Sequence, residues 1–330
     1  MPITRTRFLA AVGAAAAAGL PHPARAADAQ VPRRLLGRTG QEVSLICMGG
    51  AHLGLPRLTD DEAIRLIHDG VDRGIDFLDN CWDYNEGNSE IRMGKALAQG
   101  GYRSRVFLMT KVDGRTKTAA SRQLDESLRR LQTDHVDLWQ FHENIRPYDA
   151  ERIFAPGGGI EAALAARQAG KIRFIGFTGH KNPAYHVHMF DVAERHGFTF
   201  DTVQMPLNVM DAHYESFQRT VIPVAQRHGT AILAMKTFGD HHILDTHVLD
   251  PIEMLHYSMN LPVASVVTGI DAPHILDQAI VAAQTFRPLS DQEVTAMLAK
   301  TAQLAQNGST ELYKTSHTFD GTYQHPEWLG

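Results

Sequence analysis

The sequence has few cysteines, little net charge and no apolar run long enough to span a membrane, and each shortage excludes a class of protein. Two cysteines in 330 residues cannot form a disulfide-dense scaffold, nor a zinc or iron–sulfur site with four cysteine ligands. The net charge of −5 favours binding neither to nucleic acid nor to an anionic membrane surface. What remains is a chain that is 43% hydrophobic and long enough for one large α/β domain or two small ones.

The N-terminal segment predicts a secretory signal peptide over residues 1–26. Arg5 and Arg7 precede an alanine-rich apolar run at residues 8–20, and Ala24-Arg25-Ala26 supplies a small-residue cleavage pattern. The apolar run is too short to span a bilayer comfortably, so we expect no stable membrane insertion. We expect cleavage after Ala26 and a periplasmic or secreted protein in which residues 27–330 form a single domain.

Two export routes remain open for this segment. Arg5-Thr6-Arg7 resembles a twin-arginine signal, which exports folded proteins, but Thr6 stands where the second arginine belongs. An ordinary signal for unfolded export fits as well. If the segment is instead a disordered tail, the protein stays in the cytoplasm.

Strand-like and helix-like stretches alternate regularly after a short hairpin at residues 34–44, in which Gly37 and Gly40 are turn residues. The predicted strands are residues 43–48, 74–79, 106–111, 136–142, 172–177, 202–204, 231–236 and 264–267. The predicted helices are residues 60–73, 89–99, 119–131, 159–169, 183–196, 214–227, 251–260 and 274–285. A final helix at 291–303 and an irregular tail from about residue 307 complete the chain. Eight strand–helix units in roughly 270 residues predict a (β/α)₈ TIM barrel with an N-terminal β-hairpin.

The main alternative is a doubly wound sheet. That fold would require a Gly-x-Gly-x-x-Gly turn after its first strand, to hold a dinucleotide phosphate. Cys47-Met48-Gly49-Gly50 does not supply this spacing. The barrel is therefore the preferred interpretation.

Reactive groups of such barrels lie at the C-terminal ends of the strands. Asp79, Lys111 and His142 end three consecutive predicted strands, and Tyr84 follows Asp79 in the loop above. Taken singly, the aspartate could cap a helix, the histidine could be a core residue and the tyrosine could lie on the surface. Together they supply what a proton-transfer site needs.

The chemistry of these side chains indicates their roles. A phenol with a pKa of about 10 exchanges protons poorly near neutral pH unless a cation favours the phenolate. A buried Lys111 would supply that field, and Asp79 would keep the lysine charged. Tyr84 would then be the acid, and the imidazole of His142 would orient a substrate carbonyl.

Several motifs in this order resemble the aldo-keto reductases over residues 34–286. The motifs are Leu36-Gly37-Arg38-Thr39-Gly40, Phe77-x-Asp79-Asn80-Cys81-x-x-Tyr84, Met109-Thr110-Lys111, Val136-Asp137-Leu138-x-Gln140-x-His142 and Gly170-Lys171-Ile172-Arg173. The resemblance implies reversible reduction of an aldehyde or ketone by a hydride from NAD(P)H, with Tyr84 as the proton donor. It also implies a set of cofactor-binding positions: Gly50, Thr178, Gln204, Met235, Thr237, Phe238, Gly239, Gly269, His274 and Gln278.

Some positions depart from the family pattern. Gly179 replaces an asparagine that binds the carboxamide, with His180 or Asn182 as possible substitutes, and Met235 replaces an aromatic residue. His274 stands where an arginine usually holds the 2'-phosphate, although arginine is the better bidentate partner. We expect NADPH as the cofactor, with NADH as the alternative.

Other interpretations weigh less. We expect no metal site, although His186, His188 and the group Asp240, His241, His242 and His247 could supply ligands. Cys47 and Cys81 are expected to be free, with a disulfide as the alternative if the protein is exported. A nicotinamide-binding sensor or accessory subunit on the same barrel is the alternative function, because a fold does not fix an activity.

Overall fold

The computed structural model describes residues 30–330, so the expected signal peptide lies outside the described residues. A hairpin of β1 (Arg33–Leu35) and β2 (Glu42–Ser44) precedes the barrel. The barrel strands are β3 (Ile46–Gly49), β4 (Phe77–Asp79), β5 (Phe107–Val112), β6 (Val136–Phe141), β7 (Ile172–Thr178), β8 (Thr202–Pro206), β9 (Ala231–Met235) and β10 (Ser265–Gly269). All eight pair in parallel, and β10 pairs with β3 to close the barrel. The predicted barrel and hairpin are confirmed.

Helices surround the barrel on its outside. They are α1 (Gly50–Leu53), α2 (Asp60–Asp72), α3 (Asn88–Leu97), α4 (Lys117–Leu131), α5 (Asp149–Phe154), α6 (Gly159–Gln168), α7 (Pro183–Arg195), α8 (Phe217–Thr220), α9 (Ile222–Arg227), α10 (Pro251–Asn260), α11 (Pro273–Thr285), α12 (Asp291–Thr301), α13 (Leu312–Thr315) and α14 (Gly321–Gln324). None of the helices in residues 30–330 has both the length and the apolar character needed to cross a membrane.

Local sequence explains where α2 begins. The Thr59 hydroxyl accepts a hydrogen bond from the Glu62 amide, and the Glu62 carboxylate accepts one from the Thr59 amide. This reciprocal capping box satisfies two amides that the first helical turn leaves unpaired. The predicted start at Asp60 agrees with this geometry.

Two predicted elements differ from the structure. The helix expected at 214–227 starts later, because the Asp211 carboxylate accepts the amides of Phe217 and Gln218. It is also divided into α8 and α9 at Val221, where Pro223 follows in the first turn of α9. The tail after residue 307, expected to be irregular, contains α13, α14 and a 3₁₀ turn at Pro326–Leu329.

The hairpin closes the N-terminal end of the barrel. Leu36 and Val43 are fully buried and pack with Cys47 and other inward-facing strand residues in one apolar cluster. Gly37 approaches β9 so closely that a Cβ there would lie 3.0 Å from the Cβ of Ala231. With this end filled by apolar side chains, the polar residues of the barrel interior lie toward the opposite rim.

Candidate active site

Strand periodicity brings the predicted reactive residues to one place. Side chains alternate between the two faces of a strand, so residues two apart point the same way. Phe77 and Met109 belong to the apolar cluster inside the barrel, and Asp79 and Lys111 lie two residues further along the same strands. His142 follows β6 directly. The barrel interior is therefore apolar toward the N-terminal ends of the strands and polar at their C-terminal rim.

Lys111 is the centre of the group. Its Nζ lies 2.5 Å from Asp79 Oδ1, donates to the Asn80 carbonyl at 2.9 Å and donates to Tyr84 Oη at 3.2 Å. The lysine and the aspartate are both buried. The arrangement links the ion pair directly to the phenol.

Tyr84 is held above this ion pair by an unusual turn. The two residues after it, Asn85 and Glu86, have φ of 51° and 57°, in the left-handed region. Asn85 can adopt this conformation more easily than most residues, and its side-chain amide donates to the Ala51 carbonyl at 2.7 Å. The turn costs conformational energy, and its contacts fix the phenol at the rim.

Burial and charge act in opposite directions on this group. Burial lowers the pKa of Lys111, but the charges of Asp79 and Tyr84 outweigh it and leave the pKa raised, so the lysine is cationic. Burial raises the pKa of the Tyr84 phenol well above its usual value, and Lys111 offsets this only in part. The sequence predicted a lowered value for Tyr84. The difference arises because desolvation of the phenolate exceeds the field of a lysine already paired with Asp79.

His142 lies beside Tyr84 and faces a group of acceptors. Its ring meets the Tyr84 ring edge-on, with centroids 5.7 Å apart. Its Nδ1 lies 3.0 Å from Asp113 Oδ1, 3.2 Å from Cys81 Sγ and 3.5 Å from Asp83 Oδ1. Burial lowers the pKa of His142, which favours the neutral imidazole.

Arg115 supports the loop below His142. It is fully buried, and its guanidinium donates to the carbonyls of Asp113, His142 and Glu143 while pairing with Asp149 at 3.1 Å. One cation thereby satisfies three carbonyls that the strand ends leave unpaired. Sequence reasoning missed this residue, because its partners come from separate loops.

Most of the expected cofactor positions lie around the rim from β7 to β10 and on α11. Thr178 ends β7 and Met235 ends β9, and the threonine hydroxyl lies 3.9 Å from the methionine sulfur. Gln204 accepts from the Gln140 side chain at 2.9 Å and hydrogen-bonds to Asp79. These contacts join part of the expected cofactor set to the ion pair of Lys111.

The other expected cofactor positions are less closely joined to this group. Gly50 begins α1, and a Cβ there would lie 2.5 Å from the Asp79 carbonyl, so packing against β4 already requires glycine. The Thr237 hydroxyl is hydrogen-bonded to that of Ser258 at 3.2 Å. Phe238 is partly buried in the protein core, Gly239 has a φ of 58°, Gly269 ends β10, and His274 and Gln278 lie on α11.

The residues expected to replace the missing asparagine are occupied elsewhere. The side chain of Asn182 caps α7 through the Ala184 amide, and His180 pairs with Asp320 of the tail at 2.9 Å. Gly179 has no room for a side chain, because a Cβ would lie 2.6 Å from the Asn144 carbonyl. Both His180 and Asn182 thus already have hydrogen-bond partners within the protein.

A comparison with known protein families shows to which family this chain belongs. The model of the aldo/keto reductase family matches residues 45–256, which is more than half of the chain. The chain belongs to the aldo/keto reductase family. The motifs around Asp79, Lys111 and His142 fall inside this matched segment.

Individual relatives support this membership over shorter stretches. The chain is 35% identical over 161 residues to an uncharacterized oxidoreductase, YrpG, of Bacillus subtilis, covering 43% of this chain and 47% of that protein. It is 34% identical over 160 residues to L-galactose dehydrogenase of Arabidopsis thaliana, covering 46% and 49%. The chain thus spans about half the length of these curated relatives.

A solved structure agrees with the fold. The aldo-keto reductase AKR11C1 from Bacillus halodurans, in its holo form, superposes with a TM-score of 0.67 over 86% of this chain and 100% of that chain. The sequence identity is 23%. At this identity the likeness concerns the fold alone.

Two further members of the site escaped sequence reasoning. Asp113 lies two residues beyond Lys111 and shares its inward orientation, so the rule that selected Lys111 could have found it. Lys236 follows Met235 with a φ of 59°, and its Nζ lies 4.5 Å from the centroid of the Phe319 ring. No carboxylate of residues 30–330 forms an ion pair with Lys236.

The C-terminal tail covers part of the rim. Glu143, next to His142, accepts the amides of Gly321 and Thr322 at 2.8 and 2.7 Å. Gly321 approaches Asp83 so closely that a Cβ would lie 3.2 Å from its Oδ2. Glu143 therefore holds the tail against the rim.

Proposed function

We propose that this aldo/keto reductase reduces an aldehyde or ketone to an alcohol, with NAD(P)H as the reductant and Tyr84 as the proton donor. The observation that carries the proposal is the position of Lys111 Nζ, 2.5 Å from Asp79 and 3.2 Å from Tyr84 Oη. A cation held by a carboxylate beside a phenol is the arrangement that proton transfer to a developing alkoxide requires.

Each residue has a defined task in this proposal. The raised pKa keeps Tyr84 protonated at neutral pH, so the phenol can donate to the carbonyl oxygen. Lys111 stabilises the phenolate that forms, and Asp79 keeps that lysine charged and oriented. Neutral His142 hydrogen-bonds the substrate oxygen and sets its direction. The bound nicotinamide would supply the hydride.

The residues on the β9 side of the rim fit such a cofactor. Lys236 forms no ion pair within the described chain. It lies next to Thr237, at the position where the family binds the pyrophosphate. The buried Asn144 Oδ1 accepts no hydrogen bond from residues 30–330, while the Asn144 side-chain nitrogen donates to the Thr178 carbonyl at 2.8 Å. We infer that Lys236 binds the pyrophosphate of the cofactor and that Asn144 and Thr178 form hydrogen bonds with its carboxamide.

The charges near β10 support NADPH over NADH. Asp271 would repel a 2'-phosphate, but Arg57 forms an ion pair with it and His52 Nδ1 lies 3.4 Å away. Arg57 is largely exposed and can also approach an anion. Arg57 would thus bind the 2'-phosphate, a role that the sequence assigned to the position of His274.

The expected export signal belongs to the same proposal. We propose that residues 1–26 direct the protein to the periplasm or the medium, with cleavage near Ala26. Fractionation of cells that express the full chain checks this. An uncleaved product confined to the cytoplasm would refute it.

The reductase proposal is tested on purified protein with a panel of carbonyl compounds, with both NADPH and NADH, by the fall in reduced-cofactor absorbance. The panel includes sugar carbonyls, because one relative is named for L-galactose. We expect turnover that Tyr84→Phe lowers by about 10²- to 10⁴-fold, with cofactor binding retained. Tight cofactor binding without turnover across the panel would instead favour a sensor or accessory subunit.

A further inference from the structure

Four side chains beside the reductase site converge on one small volume. They are Cys81, Asp83, Asp113 and His142, and we call them the Cys81 cluster. One ligand atom from each lies within 4.8 Å of all the others. The sequence predicted no metal site here.

The hydrogen bonds within the Cys81 cluster do not balance. His142 Nδ1 can donate at most one hydrogen. Two carboxylate oxygens, Asp113 Oδ1 and Asp83 Oδ1, lie 3.0 and 3.5 Å from it, and the Cys81 sulfur lies 3.2 Å away. Within the described chain, Asp83 Oδ1 and the fully buried Asp113 Oδ2 have no hydrogen-bond partner. Buried carboxylate oxygens without donors are costly, so these two oxygens point to a missing cation.

The surrounding cations cannot fill this place. Lys111 is paired with Asp79, and Arg115 is paired with Asp149 and turned toward backbone carbonyls. Neither Asp83 nor Asp113 therefore forms an ion pair with Lys111 or Arg115. A divalent ion would neutralise the charge that these two carboxylates carry when they are ionised.

We propose that the Cys81 cluster binds a divalent transition-metal ion, with Zn²⁺ as the best match. One sulfur, one imidazole nitrogen and two carboxylate oxygens form a tetrahedral set that suits zinc. Bonds of about 2.0 to 2.3 Å place tetrahedral ligands about 3.3 to 3.8 Å apart. Three of the distances to His142 Nδ1 are already near this range. Small side-chain rotations would place the four ligand atoms around one ion.

The bound ion would act on the reductase site through His142. Zinc on Nδ1 leaves the proton of the neutral imidazole on Nε2, so Nε2 becomes a fixed hydrogen-bond donor. This is the tautomer that a carbonyl oxygen requires. The ion would thus be a positioning element next to the proton donor.

Co²⁺ is the probe, because a cobalt–thiolate bond gives a charge-transfer absorption band that does not depend on enzyme activity. We expect about one Co²⁺ per chain with this band, and displacement of the ion by Zn²⁺. Cys81→Ser should abolish the band, whereas Cys47→Ser, which changes the other buried cysteine, should retain it. Asp113→Asn should weaken binding by roughly 10- to 100-fold or more.

Two control variants separate metal binding at the Cys81 cluster from the reductase activity and from binding at surface histidines. Tyr84→Phe should keep the band while losing turnover, so failure of the reductase proposal does not affect this result. His241→Ala/His242→Ala removes the exposed group with Asp245 and should also keep the band. Absence of stoichiometric binding to the wild-type protein, or a band that survives Cys81→Ser, would overturn the proposal. So would loss of the band in the double histidine variant.

Discussion

Tyr84 and Lys111 contact each other in two ways: Lys111 Nζ lies 3.2 Å from Tyr84 Oη and 4.6 Å from the centroid of the tyrosine ring. The lysine therefore interacts with the phenol oxygen and with the face of its ring. Both interactions grow stronger when the phenol gives up its proton. The buried Asp79 holds the lysine in this position.

Tyr84→Phe should lower kcat by about 10²- to 10⁴-fold, since it removes the proposed proton donor and leaves the ring in place. Cofactor affinity and thermal stability should change little. Steady-state kinetics and quenching of protein fluorescence by the cofactor measure the two effects. Tyr148→Phe, at a largely exposed tyrosine, is the control. A Tyr84→Phe enzyme with the wild-type rate would exclude the phenol as donor.

Asp79→Asn should destabilise the protein by about 3 to 5 kcal/mol, because it leaves Lys111 buried without its counter-ion. Urea unfolding measures this loss. The double variant Asp79→Asn/Lys111→Met should recover part of it, because it also removes the uncompensated charge. Glu161→Gln, in an exposed pair with Lys117, should leave stability nearly unchanged. Equal losses in the single and double variants would contradict the ion-pair interpretation.

His186→Leu should make the protein less sensitive to acid. His186 is buried between the rings of Phe177 and Phe217, and burial lowers its pKa to about 3. Because the unfolded chain binds a proton below about pH 6.5 and the folded chain does not, stability falls as the pH decreases toward 3.

Between pH 6.5 and pH 5 this amounts to about 2 kcal/mol from His186 alone. Unfolding at the two pH values should therefore show a smaller decrease for His186→Leu than for the wild-type protein. His188→Leu, at a partly exposed histidine two residues along α7 that pairs with Glu151, provides the comparison. An identical decrease in both proteins would show that His186 is not the acid-sensitive group.

Asp320→Asn should loosen the tail over the rim. Asp320 is buried and pairs with His180, Lys181 and His317, and these partners lower its pKa to about 2 despite burial. The ionised form contributes stability above about pH 4, and this contribution is lost as the pH falls toward 2.

At neutral pH we expect the substitution to cost about 1 to 3 kcal/mol of tail docking and to raise KM more than it changes kcat. Limited proteolysis of the tail and steady-state kinetics measure these effects. Glu327→Gln, at an exposed position of the same tail, should leave both unchanged. Unaltered protease resistance in Asp320→Asn would show that other contacts hold the tail.

The parts of the fold that were predictable depend on local patterns. The Thr59 and Glu62 signal determines the start of α2 because its partners are three residues apart. Alternation along β4 and β5 was sufficient to place Asp79 and Lys111 on one rim, since a parallel barrel aligns its strand ends.

The parts that were not predictable depend on distant partners. Lys314 of the tail pairs with Asp211 across 103 residues, and Asp211 in turn sets the start of α8. The Cys81 cluster joins the loops after β4, β5 and β6, and no spacing within any one of them indicates it. Burial of Tyr84 in the folded chain likewise reversed the expected direction of its pKa shift.

The barrel seam has a consequence for how the protein folds. Where β3 meets β10, the Ser265 hydroxyl donates to the Ser44 carbonyl 221 residues away, whereas Asp79 and Met109 pair across neighbouring strands. Contacts between such distant segments form slowly, because a long loop must close first. The rim at Gly49 and Gly269 would therefore be completed late, after the Lys111 ion pair. A dinucleotide bound across this seam would bind only the closed barrel, so the apparent stability would rise with the logarithm of its concentration above Kd.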